Sequence, residues 1–314
     1  MSTSNGPVAP AAGPLLGPAE IRALAERAGI RPTKTLGQNF LLDGGTVRKI
    51  VRQADVLAGE RVVEVGPGLG SLTLGLLEAG ADVVAVEIDP VLAGLLPETV
   101  QRHVPGAAVD VVDLPDVVPG NPDAAPAAAP ALTVVRGDAL DVRALPGRPP
   151  TALVANLPYN VSVPVLLTFL ERFPTLERAL VMVQAEVADR LAAPPGSRTY
   201  GVPSAKAAWY AAARRTSTIG RSVFWPVPNV DSALVRLDRR EPPATAATRE
   251  QVFTVVDAAF AQRRKMLRSA LAPLLGGSEA AVRAIGAAGV DPQARGEALD
   301  ITSFAAIAEH LPRA

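Results

Sequence analysis

Short apolar runs closed by glycine, proline or an acid alternate along this chain with stretches of helical period. Residues 61–66, Arg-Val-Val-Glu-Val-Gly, read as a buried strand. A glycine loop follows, then a helix over 71–79 and a second strand over 82–87, Asp-Val-Val-Ala-Val-Glu. Strand, helix and strand within about 30 residues form a βαβ unit, whose crossover is right-handed. Residues 132–136, 152–156 and 179–184 read as further strands, and 232–237 as one more, a candidate for antiparallel pairing. The pattern predicts an α/β fold, Rossmann-like, with a mostly parallel sheet covered on both faces.

Two helices precede this region, one starting at Pro18 and ending before Gly29, the other over about 46–54. Residues 1–18 are expected to be a disordered tail, and 19–241 the α/β domain. Within it, Pro115 to Pro130 is rich in Pro and Ala and is expected to be a mobile surface insertion. After a Pro/Thr/Ala linker at 241–248 the period is helical throughout, over 249–275, 279–288 and 303–311. A small all-helical domain is therefore expected over 242–314.

Composition narrows the chemistry. With 314 residues, 48% of them hydrophobic, the chain can bury a substantial core. It has no cysteine and only two histidines, His103 and His310, far apart in sequence. Disulfides and thiolate metal sites are excluded, and no metal is expected. The 31 basic and 31 acidic residues cancel, but net charge says little when charges are segregated. The N-terminus lacks the pattern of a signal peptide and no apolar run is long enough to span a bilayer, so a cytoplasmic location is expected.

Glu64-Val-Gly66-Pro-Gly68-Leu-Gly70 lies between a strand and a helix. Glycines there let the backbone approach a ligand, and the following helix offers free amides. A tight turn without a ligand is the plain alternative, and a dinucleotide loop the nearer rival, although Ser71 stands where that fingerprint has its last glycine. Glu87 ends the next strand about 20 residues on, where a carboxylate can accept both ribose hydroxyls. Asp138, after the strand 132–136, reads either as a helix N-cap or as an acceptor for an adenine amine.

The most specific segment is Asn156-Leu157-Pro158-Tyr159-Asn160, directly after the strand residues 152–155. An exocyclic amine on adenine is a weak nucleophile because its lone pair is delocalised into the ring. The Asn156 side-chain oxygen and the Leu157 carbonyl can accept its two hydrogens and favour a pyramidal nitrogen. Pro158 holds Leu157 extended, and Tyr159 can stack on an everted base. The plain alternative is a proline turn with a buried tyrosine.

With these residues in view, the chain resembles the ribosomal RNA adenine dimethyltransferases, in particular the bacterial small-subunit (16S) branch, from about Arg31 to the C-terminus. Gly37-Gln38-Asn39-Phe40-Leu41 is similar to the family's opening signature. The resemblance implies S-adenosylmethionine as cofactor, held by Asn39, Leu41, Gly66, Gly68, Glu87, Asp138 and Asn156. It implies that Phe224 covers the other face of the target adenine, although the residues alone read Phe224 as core. Gln184-Ala-Glu-Val-Ala-Asp-Arg-Leu with Tyr200-Gly201, and Ala259-Phe-Ala-Gln-Arg-Arg-Lys, resemble small-subunit signatures. Ala185 and Val202-Pro203 depart from the family pattern, and the Pro/Ala insertion lengthens the interval from Glu87 to Asp138.

Arg214, Arg215, Arg221, Arg263, Arg264, Lys265 and Arg268 concentrate positive charge in the second half. They are candidates for RNA phosphate contacts, or simply solvated helix ends. The expected partner is 16S rRNA within the immature small subunit, bound by a monomer and giving dimethyladenosine at two adjacent adenines. A 23S enzyme of the antibiotic-resistance type, a ribosome-assembly factor with incidental catalysis, and a dehydrogenase are the alternatives.

Overall fold

The computed structural model describes residues 15–30, 39–121 and 131–312. Among these residues ten strands are present: β1 (Phe40–Leu41), β2 (Arg61–Val65), β3 (Asp82–Glu87), β4 (Ala108–Asp113), β5 (Ala131–Arg136), β6 (Ala152–Asn156), β7 (Arg178–Gln184), β8 (Ala211–Ile219), β9 (Phe224–Trp225) and β10 (Ser232–Arg239). Eight form one sheet in the order β4-β5-β3-β2-β6-β7-β10-β8, while β1 and β9 pair separately and antiparallel. Pairs β2·β3, β2·β6, β3·β5, β4·β5 and β6·β7 are parallel. This is the Rossmann-like α/β architecture expected from the sequence.

All five residues of β2 and all six of β3 are buried, as a central parallel strand covered on both faces requires. The charged residue that opens each strand is accommodated by pairing: Arg61 and Asp82 meet at 2.5 Å, nearly excluded from water, and Arg61 also donates to the Pro146 carbonyl. From β2 the chain runs outward on one side through β3, β4 and β5, then crosses back to β6 on the other side of β2. The strand order therefore reverses between β2 and β6, where open sheets leave a crevice at their carboxyl ends.

The chain divides into two compact units, residues 1–185 with 216–236 and residues 186–215 with 237–314. The boundary expected at residue 242 is thus revised, because 186–215 belong with the C-terminal helices. The helix Val202–Tyr210, started by Pro203 and by the Gly201 amide donating to the Ser204 hydroxyl, supplies the reason. Trp209 and Tyr210 meet Phe253 edge-on, and Lys206 pairs with Asp257. Tyr200, Phe260 and Phe304 continue that core.

The expected tail is also shortened. Leu16 is buried in the core of the first unit and a helix begins at Pro18; residues 1–14 lie outside the described residues. Of the insertion, Leu114–Asp116 form a 3-10 turn and the Gly120 amide donates to the Leu145 carbonyl. Residues 122–130, and with them most of the stretch expected to be mobile, lie outside the described residues. The long helix expected over 249–275 is broken into Arg249–Ala261, Leu267–Ala270 and Ala272–Leu275. Among the described residues no helix is long and apolar enough to cross a membrane, and no group of three or more His, Cys, Asp or Glu is placed to hold a metal ion.

Candidate active site

The carboxyl ends of β2, β3 and β6 open onto one cavity of about 400 Å³. After β2 the chain turns through Gly66, Gly68 and Gly70, all at positive φ, into the helix Ser71–Glu78. Gly68, at φ 59°, adopts a backbone conformation that favours glycine, and a Cβ there would sit 3.1 Å from the Phe40 ring, which would have to give by a few tenths of an ångström. The Gly68 amide donates to Glu87 at 3.1 Å, and the Asp89 amide donates to its other oxygen at 3.0 Å. Two amides thus fix the carboxylate that ends β3. Burial pushes the Glu87 carboxyl above the ordinary glutamate range, and these hydrogen bonds oppose the shift.

Asn39, Phe40 and Leu41 form another wall. Two contacts hold this strap in place: Ser71 Oγ donates to the Leu41 carbonyl at 2.7 Å, and Asn156 Nδ2 donates to the Asn39 carbonyl at 3.1 Å. The second contact also orients the Asn156 amide. With its nitrogen committed to Asn39, its oxygen accepts no hydrogen bond among the described residues, and Asn156 lines the cavity only half-buried. Leu157 is buried with its amide donating to the Met182 carbonyl at 3.1 Å, which fixes the Asn156–Leu157 peptide, while its own carbonyl lies in the following peptide, the one to Pro158. Tyr159 is tethered by a 2.8 Å bond between its hydroxyl and that of Ser232, and burial raises its pKa.

The structure therefore brings together Asn39, Leu41, Gly66, Gly68, Glu87, Asn156, Leu157, Pro158 and Tyr159. Two expected residues are not in this lining. Asp138 sits just beyond Gly137, whose amide donates to the Glu87 carbonyl, so it lies close to the end of β3. Its carboxylate accepts the Leu140 amide at 2.8 Å in an Asx turn rather than capping a helix. Phe224 requires a correction: its ring is 1% exposed and packs in the core, because pairing of β9 with β1 sets it opposite Leu41. Gly37 and Gln38 of the opening signature lie outside the described residues.

Sequence reasoning missed Glu64, Ser71 and Ser232. An acid inside an otherwise apolar strand was the available signal for Glu64; nothing local marks the two serines. Glu64 lines the cavity, is 1% exposed, and accepts the Thr73 hydroxyl at 2.6 Å. Burial pushes its carboxyl up to about 8, with Glu87 adding to the rise and Thr73 opposing it.

The candidate RNA cations divide by environment. Arg214, Arg215, Arg221 and Arg263 pair with Asp238, Asp189, Asp231 and Glu297. Arg264, Lys265 and Arg268 are exposed and take part in no ion pair among the described residues. Arg263, Arg264 and Lys265 lie in the turn between Arg249–Ala261 and Leu267–Ala270, not on a continuous helix.

The cavity suits a nucleoside carrying positive charge. Its acidic lining residues, among those described, are Glu64, Glu87 and Asp89, and no Lys, Arg or His joins them. A dinucleotide's pyrophosphate would meet no cationic side chain there. Fold and site together define a methyltransferase with a nucleoside cofactor, its acceptors for the reacting group on the loop after β6. The sequence matches the ribosomal RNA adenine dimethylase family over residues 30–312, and the chain belongs to that family. It is 61% identical over 299 residues to a ribosomal RNA small subunit methyltransferase A of Streptomyces griseus, covering 95% of this chain and 96% of that one. A protein of the same description from an Arthrobacter species is 60% identical, covering 96% and 94%. Among solved structures, a dimethyladenosine transferase from Plasmodium falciparum superposes with a TM-score of 0.65 at 20% identity, covering 85% of this chain and 95% of that one. The 23S rRNA methyltransferase ErmE gives 0.58 at 27% identity, covering 87% and 99%.

Proposed function

We propose that this enzyme transfers methyl groups from S-adenosylmethionine to the exocyclic amines of two adjacent adenines in 16S rRNA of the immature small subunit, giving dimethyladenosine. The observation that carries this reading is the Asn156 amide, held at the cavity by its nitrogen and offering its oxygen. The 61% identity to small-subunit enzymes, against 27% to ErmE, favours 16S over 23S rRNA as the substrate.

When bound, the cofactor supplies an electrophilic methyl group on a sulfonium. Glu87 holds the ribose hydroxyls, its carboxylate prepositioned by the Gly68 and Asp89 amides. Gly66 and Gly68 let the backbone come close, and Asn39 and Leu41 close the wall above. Asn156 Oδ1 and the Leu157 carbonyl accept the two hydrogens of the target amine, which localises its lone pair. Tyr159, with its hydroxyl tied to Ser232, presents a ring face to the everted base. No strong general base is needed, because the methylated amine is acidic enough to lose its proton to water. Arg264, Lys265 and Arg268 supply phosphate contacts, and the helical unit docks on the subunit by RNA shape rather than by base sequence.

The test is methyl transfer from labelled S-adenosylmethionine to isolated small and large subunits lacking the modification, followed by mass mapping of dimethyladenosine. Label in small-subunit RNA that disappears with Asn156→Ala is expected. Label confined to large-subunit RNA would overturn the assignment.

A further inference from the structure

A carboxylic acid inside a parallel strand is costly unless something compensates for it. Glu64 occupies such a position in β2, one strand away from Glu87, with the Thr73 hydroxyl as its one hydrogen-bond donor among the described residues. The titratable groups that share the cavity with it are Glu87, Asp89 and Tyr159, none of them basic. Thr73, on the helix Ser71–Glu78 that packs against it, brings no charge either. The pocket therefore holds a buried acid facing a cavity that offers it no counter-charge of the protein's own.

We propose that Glu64 exchanges its proton for the positive charge of the methionyl half of the cofactor, so that cofactor binding releases a proton from this side chain. The inference rests on the use of S-adenosylmethionine proposed above. Burial and the neighbouring Glu87 keep Glu64 protonated at neutral pH in the free protein. A fixed cation beside it reverses the balance, since an opposite charge within a few ångströms favours the ionised carboxylate. Charge is conserved: the acid loses H⁺ to solvent and becomes the counter-ion of the arriving cation. The shared ligand chemistry is an organic cation, supplied by either the ammonium or the sulfonium.

Calorimetry of the whole protein in buffers of differing ionisation enthalpy counts the protons released per ligand bound. At pH 7, S-adenosylmethionine is expected to release about one proton more from the wild type than from Glu64→Gln, and the difference is expected to vanish above about pH 9. S-adenosylhomocysteine, which keeps the ammonium and lacks the sulfonium, shows which cation is responsible. 5′-Methylthioadenosine, which lacks both, is expected to release none. Thr73→Val leaves the acid in place and removes its donor, so the proton-release profile is expected to move to higher pH; a purely structural Glu64 would not respond this way. Equal release by wild type and Glu64→Gln, or equal release with methylthioadenosine, would overturn the proposal. Should Glu64→Gln fail to fold, an unmoved profile in Thr73→Val would overturn it equally. Absence of any S-adenosylmethionine binding would instead refute the proposed function.

Discussion

Replacing Glu64 by Gln should remove most of the pH dependence of stability from the cofactor-free first unit. Glutamine keeps the shape and the acceptor for Thr73 but has no proton to lose. In the wild type the folded-state pKa lies above the unfolded one, about 8 against 4.5. Between these values the unfolded chain has released the proton while the folded protein retains it. Stability due to this group is therefore fully present below about pH 4.5, falls as pH rises, and levels off above about 8. At about 1.4 kcal/mol per pH unit the full span is about 5 kcal/mol, and water entering the cavity beside the carboxyl brings the expected loss to about 2–5 kcal/mol. Glu87, also raised by burial, adds a slope of the same sign that survives in the variant. Hydrogen exchange at the amides of β2 and β3 through a urea series, repeated from pH 5 to 9, reads this unit alone. A wild type whose stability stays flat or rises over that range would refute the reasoning, as would a variant that tracks the wild type.

Asn156→Ala is expected to lower turnover by about 10²-fold through removal of one acceptor, while co-sedimentation with small subunits persists. Asp82→Ala strips the buried Arg61 guanidinium of its carboxylate and should cost about 3–5 kcal/mol by chemical denaturation. Gly70→Ala forces a side chain onto φ 95° and sets its Cβ 2.7 Å from a Leu96 methyl. The Leu96 side chain can swing aside, so the backbone strain dominates, about 1–2 kcal/mol, with weaker cofactor binding by calorimetry. The triple change Arg264→Ala, Lys265→Ala, Arg268→Ala should flatten the salt dependence of small-subunit binding by about one unit of slope for each phosphate that is no longer neutralised. An unchanged slope would remove these side chains from the interface.

Elements whose cause is local were readable from residue order. β2, β3 and β6 are short, mostly apolar runs, and the glycines between β2 and its helix are demanded by backbone conformation wherever the rest of the chain goes. That these strand ends gather at one crevice follows from parallel order and right-handed crossovers, so Gly66, Glu87 and Asn156 were legible as one site. Tertiary structure alone decided what depends on partners distant in sequence. β8 carries Arg-Arg-Thr-Ser-Thr, with no apolar alternation, and is a strand only because it pairs at the sheet edge beside β10. β1 and β9 are two residues each and stand only by pairing with one another, which is what turned Phe224 into the core. Asn156 is oriented by Asn39 and Tyr159 by Ser232, across 117 and 73 residues of chain. The protonation of Glu64 belongs to this second group as well. Residue type sets a carboxyl's ordinary pKa, but loss of water and a neighbouring charge move it, and both arise only when separate segments close around it.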